Sequence, residues 1–188
     1  MGINDKNVIL EDVRIVFKNF AGKEGQYNRE GDRNFSVVLP DRVADEMLSD
    51  GWNVKRKPPR EEGEENFNHL PVAVSFKGRP PRLVLIVHID GEPRRTQLDE
   101  ETCEMLDYAD MATIDLILRP YDWAVSGKTG RKAYLHAIYV TLNQDELELK
   151  YQHIRELNPA EEQLALESGE TDDDDVMDGE VVSDSGWS

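Results

Sequence analysis

Several residue types that would point to catalysis, metal binding or secretion are scarce in this chain of 188 residues. Its one cysteine, Cys103, excludes an internal disulfide or a cysteine-rich zinc site and is typical of a reducing, cytoplasmic compartment. The four histidines are scattered, at His69, His88, His136 and His153, and His88 and His136 lie in apolar runs that predict core or sheet positions. The first ten residues lack a signal-peptide pattern, and no apolar run approaches a membrane span. We therefore expect no metal, no cofactor and no membrane association.

Motifs for catalysis are equally scarce. The segment Gly127-Lys128-Thr129-Gly130 has the residue types of a phosphate-binding loop but lacks the strand–loop–helix context that such a loop requires. No Ser/His/Asp or Cys/His arrangement suggests an activated nucleophile. A small metal-dependent nuclease would need carboxylates that converge from strands, and Asp90, Asp115 and Asp122 are the candidates. The sequence therefore favours a protein that is not an enzyme, with the nuclease kept as an alternative.

Basic residues are outnumbered by acidic ones, and the formal net charge is −17. The excess is concentrated in residues 159–188, which contain eleven acidic residues and no Lys or Arg and leave a net charge of −6 for residues 1–158. This composition predicts a domain over residues 1–158 and a disordered acidic tail over residues 159–188. The tail combines the run Asp172, Asp173, Asp174, Asp175 with a terminal aromatic residue, Trp187. Such a tail can bind basic pockets of partner proteins or fold back onto a cationic groove of its own domain.

The segment from Met111 to Leu142 contains two long apolar and aromatic runs separated by Ser126-Gly127-Lys128-Thr129-Gly130, which predicts a long β-hairpin with a five-residue linker. Strand alternation places Ile114, Leu116 and Leu118 on one face. The other face is predicted to carry Thr113, Asp115, Ile117, Arg119, Tyr121 and Trp123. On the return strand Lys132 and Tyr134 share a side, and Arg131 is predicted to lie at the turn. Pro120 raises the expectation of a bulge or an edge position.

Cations and aromatic rings are neighbours at four further places in the sequence. These groups are Arg14, Lys18 and Phe20; Arg33 and Phe35; Trp52 with Lys55, Arg56 and Lys57; and the turn that carries Lys77, Arg79 and Arg82. Aromatic rings stack on bases and cations neutralise phosphates, so this repeated association is typical of a groove for single-stranded nucleic acid. The alternative for each group is an ordinary core ring beside a solvated charge.

The rest of the chain predicts a mainly β domain. Strands are expected at 8–17, 34–39, 52–55, 70–76 and 83–89, with short helices at 40–50 and 98–108 and an amphipathic helix through residues 147–157. Cys103 is predicted to be buried. Strands interrupted by a helix, together with a long hairpin, predict a small Greek-key barrel of the OB type, and a β-sandwich is the alternative.

Taken together, these features resemble the single-stranded DNA-binding proteins of bacteriophages. The resemblance rests on the segments RNFSVVLP (33–40) and GWNVK (51–55), on the hairpin ILRPYDW…GKTGRKAYL (117–135) and on the acidic tail that ends near Trp187. It implies an OB-fold protein in the cytoplasm of the phage's host that coats single-stranded DNA without sequence preference during phage DNA replication and recombination. It also implies that the tail recruits replication and recombination proteins, and it leaves open whether the protein is a homo-oligomer.

The sequence therefore predicts a non-enzymatic single-stranded DNA-binding protein with a defined set of contact residues. The predicted base-stacking residues are Trp52, Tyr121, Trp123 and Tyr134. The predicted phosphate contacts are Lys55, Lys57, Lys77, Arg79, Arg119, Lys128, Arg131 and Lys132. Two alternatives stay open: a protein-interaction module or DNA mimic that acts through the acidic tail, and the small nuclease described above.

Overall fold

The computed structural model describes residues 7–143, which form a mainly β domain. Within these residues the elements, in chain order, are β1 (Val8–Leu10), β2 (Arg14–Asn19), β3 (Arg33–Leu39), α1 (Asp41–Ser49), β4 (Lys55–Lys57), β5 (Phe67–Val74), β6 (Arg82–Ile89), β7 (Glu92–Leu98), a 3-10 helix (Cys103–Asp107), β8 (Met111–Val125) and β9 (Lys128–Leu142). None of the helices in this part of the chain is long and apolar enough to cross a membrane. The predicted helix at 147–157, His153, the tail and the predicted boundary at residue 158 lie outside the described residues.

The strands form one open, mixed sheet. Hydrogen-bonded neighbours follow the order β1-β8-β9-β5-β3-β2. The two ends of this path, β1 and β2, are separated only by residues 11–13, and the Val13 amide donates to the Ile114 carbonyl of β8 at 2.9 Å. The β5–β9 pairing is parallel, whereas the other pairings along this path are antiparallel. This mainly β, open mixed sheet confirms the predicted fold of the OB type, which is a partly open barrel.

The core lies inside this barrel. Ile114, Leu116 and Leu118 of β8 are buried, as the alternation predicts, and they pack with residues of β3, β5, β6 and β9 in one cluster. The α-helix begins after Pro40 and buries Ala44 and Met47, which confirms the helix predicted there. Cys103 of the 3-10 helix is fully buried, as predicted, and its burial raises the pKa of the thiol.

The long hairpin of β8 and β9 is confirmed, but its turn is tighter than predicted. The linker has two residues, Ser126 and Gly127, both with positive φ, because such a turn matches the twist of the two strands. Lys128 already belongs to β9. No register shift occurs at Pro120, which lies beyond the β1–β8 pairing, where no other strand needs its missing amide. The bulge instead leaves His136 of β9 unpaired opposite Ile117 and Leu118.

The predicted strand over residues 8–17 is interrupted, which corrects the predicted position of Phe17. Asp12 has a φ of 48° between β1 and β2, and Phe17 has a φ of 54° at an irregularity in the β2–β3 register. The alternation predicted Val13, Ile15 and Phe17 on one face. Ile15 is buried, but Phe17 is 59% exposed because the irregularity turns its side chain out of the core.

Several other predicted elements differ from the structure. Strand β7 was not predicted because its sequence, EPRRTQL, has no apolar alternation; it pairs with β6 through an Asp90-Gly91 turn in which both residues have positive φ. The helix predicted at 98–108 is a shorter 3-10 helix, since Leu98 ends β7. The strand predicted at 52–55 lies three residues later, as β4. His88 and His136 are sheet residues but are exposed rather than in the core.

Candidate nucleic-acid interface

The outer half of the β8–β9 hairpin has two faces of different character. Antiparallel partners share a face, and the register pairs Arg119 with Tyr134, Tyr121 with Lys132, Trp123 with Gly130 and Val125 with Lys128. The first face, which we name the outer face, is thus made of Arg119, Tyr121, Trp123, Val125, Lys128, Gly130, Lys132 and Tyr134. These positions hold three cations, three aromatic residues and no carboxylate. The predicted grouping of Tyr121, Trp123, Lys132 and Tyr134 is confirmed.

Trp123 is held across the hairpin by a glycine. A Cβ atom built on Gly130 would lie 2.7 Å from Cζ2 and 2.9 Å from Cε2 of the Trp123 indole, so the ring lies directly over the glycine backbone. The indole remains 37% exposed. Only glycine leaves space for this close packing, which fixes one face of the indole on the hairpin and leaves the other available to a ligand.

A second ring pair lies nearer the barrel. The rings of Tyr121 and Tyr134 meet edge to face with centroids 5.8 Å apart, and Nζ of Lys132 lies 5.1 Å from the Tyr134 ring centroid. Tyr121 is 56% exposed. Mutual packing reduces the side-chain freedom that each ring would lose on binding. The pair therefore forms an ordered aromatic surface with a cation beside it.

The opposite face of the hairpin carries contacts that support the hairpin. Arg131 is 6% exposed, and its Nε and Nη2 donate to the two carboxylate oxygens of Asp122 at 2.7 and 3.2 Å. This ion pair lowers the pKa of Asp122. The guanidinium also lies 5.5 Å from the ring centroid of Trp52, which is 5% exposed. The Arg131 amide donates to the Gly51 carbonyl and its carbonyl accepts from the Asn53 amide, so the chain after α1 is tied to β9.

This arrangement corrects two predicted positions. Arg131 is not at the turn, and Trp52 is not a surface ring, because strand alternation directs Arg131 to the face opposite Trp123, where Asp122 and Trp52 cover it. Buried in this way, Trp52 has no open ring face for a base. We therefore assign Trp52 and Arg131 to the support of the hairpin.

The outer face continues from β9 onto β5 and β4. Tyr134 pairs with Ala73, and same-face positions then follow at intervals of two along β5, through Pro71 to His69 and Phe67. Lys55 pairs with His69 and Lys57 with Phe67, and both lysines are exposed. The structure thus places these two predicted phosphate contacts on the face that the hairpin shares.

The other predicted groups of cations and aromatic rings lie outside the outer face. Lys77 and Arg79 are exposed in the loop between β5 and β6. Phe20 and Phe35 are fully buried and stack on each other with centroids 5.3 Å apart. Arg33 pairs with Glu100 at 3.0 Å. Both rings are therefore core residues, and neither is open to a base.

The three candidate nuclease carboxylates do not share one site. Asp115 accepts a hydrogen bond from the Asp12 amide at 2.9 Å, Asp122 is paired with Arg131, and Asp90 lies in the β6–β7 turn. Asp115 and Asp122 occupy positions of opposite parity on β8 and so belong to opposite faces. Across residues 7–143, no three His, Cys, Asp or Glu side chains gather as a metal site requires.

Sequence reasoning missed three aromatic residues on the outer face: Phe17, Phe67 and His69. Their rings lie within 5.4–6.4 Å of one another, measured between centroids. Phe67 and His69 alternate with Asn66 and Asn68 in the segment NFNH, and that alternation was the available signal. Phe17 carried no signal, because the irregularity in β2 is not encoded by any glycine or proline.

Comparisons with known proteins identify the family of the chain. A family model described as "Putative phage ssDNA-binding domain" matches residues 2–187. A search of curated proteins found no match. Among solved structures, the chain is similar to the single-stranded DNA-binding protein of bacteriophage Enc34 in complex with ssDNA, with a TM-score of 0.49 and 10% identity over 76% of this chain and 89% of that chain.

A second similar structure is gp2.5, a single-stranded DNA-binding protein encoded by bacteriophage T7, with a TM-score of 0.34 and 11% identity over 94% of this chain and 100% of that chain. The family model matches nearly the full sequence. The protein therefore belongs to the family of phage single-stranded DNA-binding domains.

Proposed function

We propose that the protein binds single-stranded DNA without sequence preference on the outer face of the β8–β9 hairpin and has no enzymatic activity. The observation that carries this proposal is the composition of that face, on which three aromatic residues and three cations lie together without a carboxylate. Membership in the family supports it. Trp123, Tyr121 and Tyr134 stack on bases, whereas Arg119, Lys128 and Lys132 contact phosphates.

Stacking and phosphate contacts both contribute to this binding, and neither depends on the base sequence. Each stacked base contributes about 1–3 kcal/mol, and every base has a ring face that can stack. Each phosphate contact releases counterions, so the affinity falls as salt rises. The exposed faces of Trp123 and Tyr121 satisfy the first requirement, and the neighbouring lysines satisfy the second.

The acidic tail completes the proposal. Asp172, Asp173, Asp174, Asp175 and Trp187 recruit replication and recombination proteins or compete with DNA for the cationic face. This activity would take place in the host cytoplasm, where a lone buried Cys103 stays reduced. In the proposed domain division, residues 1–158 bind DNA and residues 159–188 form the tail.

A binding titration tests the proposal. Fluorescence anisotropy of a labelled oligo-dT of about 16 nucleotides is measured with the full chain and with the double variant Trp123→Ala, Lys132→Ala. The matched control is Arg42→Ala, which removes one exposed cation from α1, away from the hairpin. We expect the double variant to lose at least about tenfold in affinity, since a stacked base alone contributes 1–3 kcal/mol. Unchanged affinity in a folded double variant would overturn the proposed site.

A matched duplex and a truncation after Asn158 extend the experiment. Preference for oligo-dT over the duplex supports stacking on unpaired bases. Tighter binding after truncation supports competition by the tail, whereas binding to basic proteins and none to DNA would favour the protein-interaction alternative.

A further inference from the structure

We propose a second nucleotide-binding station on the same face, formed by Phe17, Phe67 and His69 with Lys55 and Lys57. It takes one base on the exposed ring of Phe17 and the adjoining phosphates on the two lysines. This inference rests on the proposed function and extends it from the hairpin to the barrel wall. A single strand then runs from the hairpin across β9 and along β5.

The three rings form one cluster. Phe17 lies edge to face on His69 with centroids 5.4 Å apart and on Phe67 with centroids 6.4 Å apart. Phe67 and His69 are 5.4 Å apart. His69 is buried and Phe67 is partly buried, whereas Phe17 is 59% exposed. Two of the rings thus support the third, whose open surface faces the solvent.

The backbone of Phe17 is held in a conformation that a bulky residue rarely adopts. Its φ is 54°, in the left-handed region. For an aromatic residue without a glycine's freedom this is an outlier, and such strain persists at positions where the surrounding structure holds it for a function. Here the strained backbone turns an aromatic ring out of the core and onto the outer face.

His69 supplies a polar group to the same cluster. Its Nδ1 atom is buried and has no hydrogen-bond partner within residues 7–143. Burial and the positive charges of Lys57 and Lys55 lower the pKa of this imidazole, so it is neutral at physiological pH. An unpartnered buried polar atom costs free energy, so this nitrogen is a second energetically costly feature of the cluster.

The station is continuous with the hairpin. From Ala73, the partner of Tyr134, four residues along β5 lead to His69, a distance of about 13 Å at 3.3 Å per residue. The same-face positions of β5 between Tyr134 and His69 are Ala73 and Pro71. Their side chains are small or compact, so they do not block a strand that lies along β5. Lys55 and Lys57 of β4 line the edge of this path.

Two variants test the station, and each has a matched control. Phe17→Gly removes the ring and introduces a residue that tolerates a positive φ, so we expect this variant to fold. Its control is Tyr108→Ala, which removes an exposed ring at the end of the 3-10 helix. The pair Lys55→Ala, Lys57→Ala removes the cations; its control is Arg42→Ala. Affinity for an oligo-dT of about 16 nucleotides is measured against salt for each variant and for Trp123→Ala.

We expect Phe17→Gly to weaken binding at least about fivefold, the low end for one stacked base. The lysine pair should reduce the salt slope by about 1.4, at roughly 0.7 per phosphate on a single strand. The controls should match the unaltered protein. If Trp123→Ala weakens binding while both station variants do not, the station is refuted and the hairpin site stands. If the unaltered chain does not bind the oligonucleotide, the proposed function itself fails.

A measurement on the unaltered protein tests the station without relying on the folding of any variant. Aromatic NMR signals of Phe17, Phe67 and His69 should shift when the oligo-dT of about 16 nucleotides is added. Shifts of Trp123 without any shift in these three rings would overturn the station independently of mutagenesis.

Discussion

Removing two lysines from the outer face should change how binding depends on salt in a way that can be calculated. Lys128 and Lys132 are exposed and lie on the same side of the hairpin as Trp123. For single strands, log Kobs falls with log salt by about 0.7 per phosphate contact. The double variant Lys128→Ala, Lys132→Ala should therefore have a slope shallower by about 1.4, and each single variant by about 0.7.

The same titrations separate charge from stacking. Trp123→Leu should lower the affinity for oligo-dT by about 1–3 kcal/mol at every salt concentration and leave the slope unchanged, because the indole carries no charge. Arg42→Ala should change neither quantity, since Arg42 lies on α1 and pairs with Glu46. A slope that is the same in the double lysine variant and the unaltered protein would refute the assignment of these lysines to phosphates. So would an equal loss of slope in Arg42→Ala.

Three further perturbations test other parts of the structure. Gly130→Ala should displace the Trp123 indole and reduce oligo-dT affinity, whereas Gly25→Ala, where a new Cβ has no neighbour within 4 Å, should not; anisotropy titrations compare the two. Trp52→Ala should lower the free energy of unfolding by about 3–5 kcal/mol, measured by urea denaturation, because it empties a buried site under the hairpin. Burial and the neighbouring lysines lower the pKa of His69 from its ordinary value of 6.5. As the pH falls below 6.5, the unfolded chain therefore binds a proton that the folded chain excludes. Stability should fall as the pH drops through this range and should fall less in His69→Gln, as followed by thermal unfolding.

The fold could be predicted wherever apolar alternation was strong. Ile114, Leu116 and Leu118 were correctly assigned to the core, and the helix after Pro40 was recognised from its spacing. Strand β7 was not predicted because nearly all of its residues are polar and exposed. The sequence signal for this hairpin was the Asp-Gly turn before β7 and not the strand itself. Alternation cannot detect a strand that buries almost nothing.

The site was predictable to the extent that parity along a regular strand could be followed. Tyr121, Trp123 and Lys132 were placed on one face because β8 keeps its alternation past Pro120. Arg131 was misplaced because the turn was taken to be five residues long, and shortening it to two moved Arg131 well inside a strand. Phe17 could not be placed, since its exposure depends on a register irregularity that only the β2–β3 pairing creates.

The hairpin explains how a chain with a net charge of −17 can present a surface suited to a polyanion. Binding depends on the local field at the surface and not on the total charge, because salt screens charges beyond about 10 Å. Among residues 119–134 the carboxylate is that of Asp122, and it lies on the opposite face, where Arg131 neutralises it. The one-residue offset between Asp122 and Trp123 thus separates a bracing ion pair from an aromatic surface. A shift of register by one residue would exchange the two faces, so the tight Ser126-Gly127 turn is what maintains the interface.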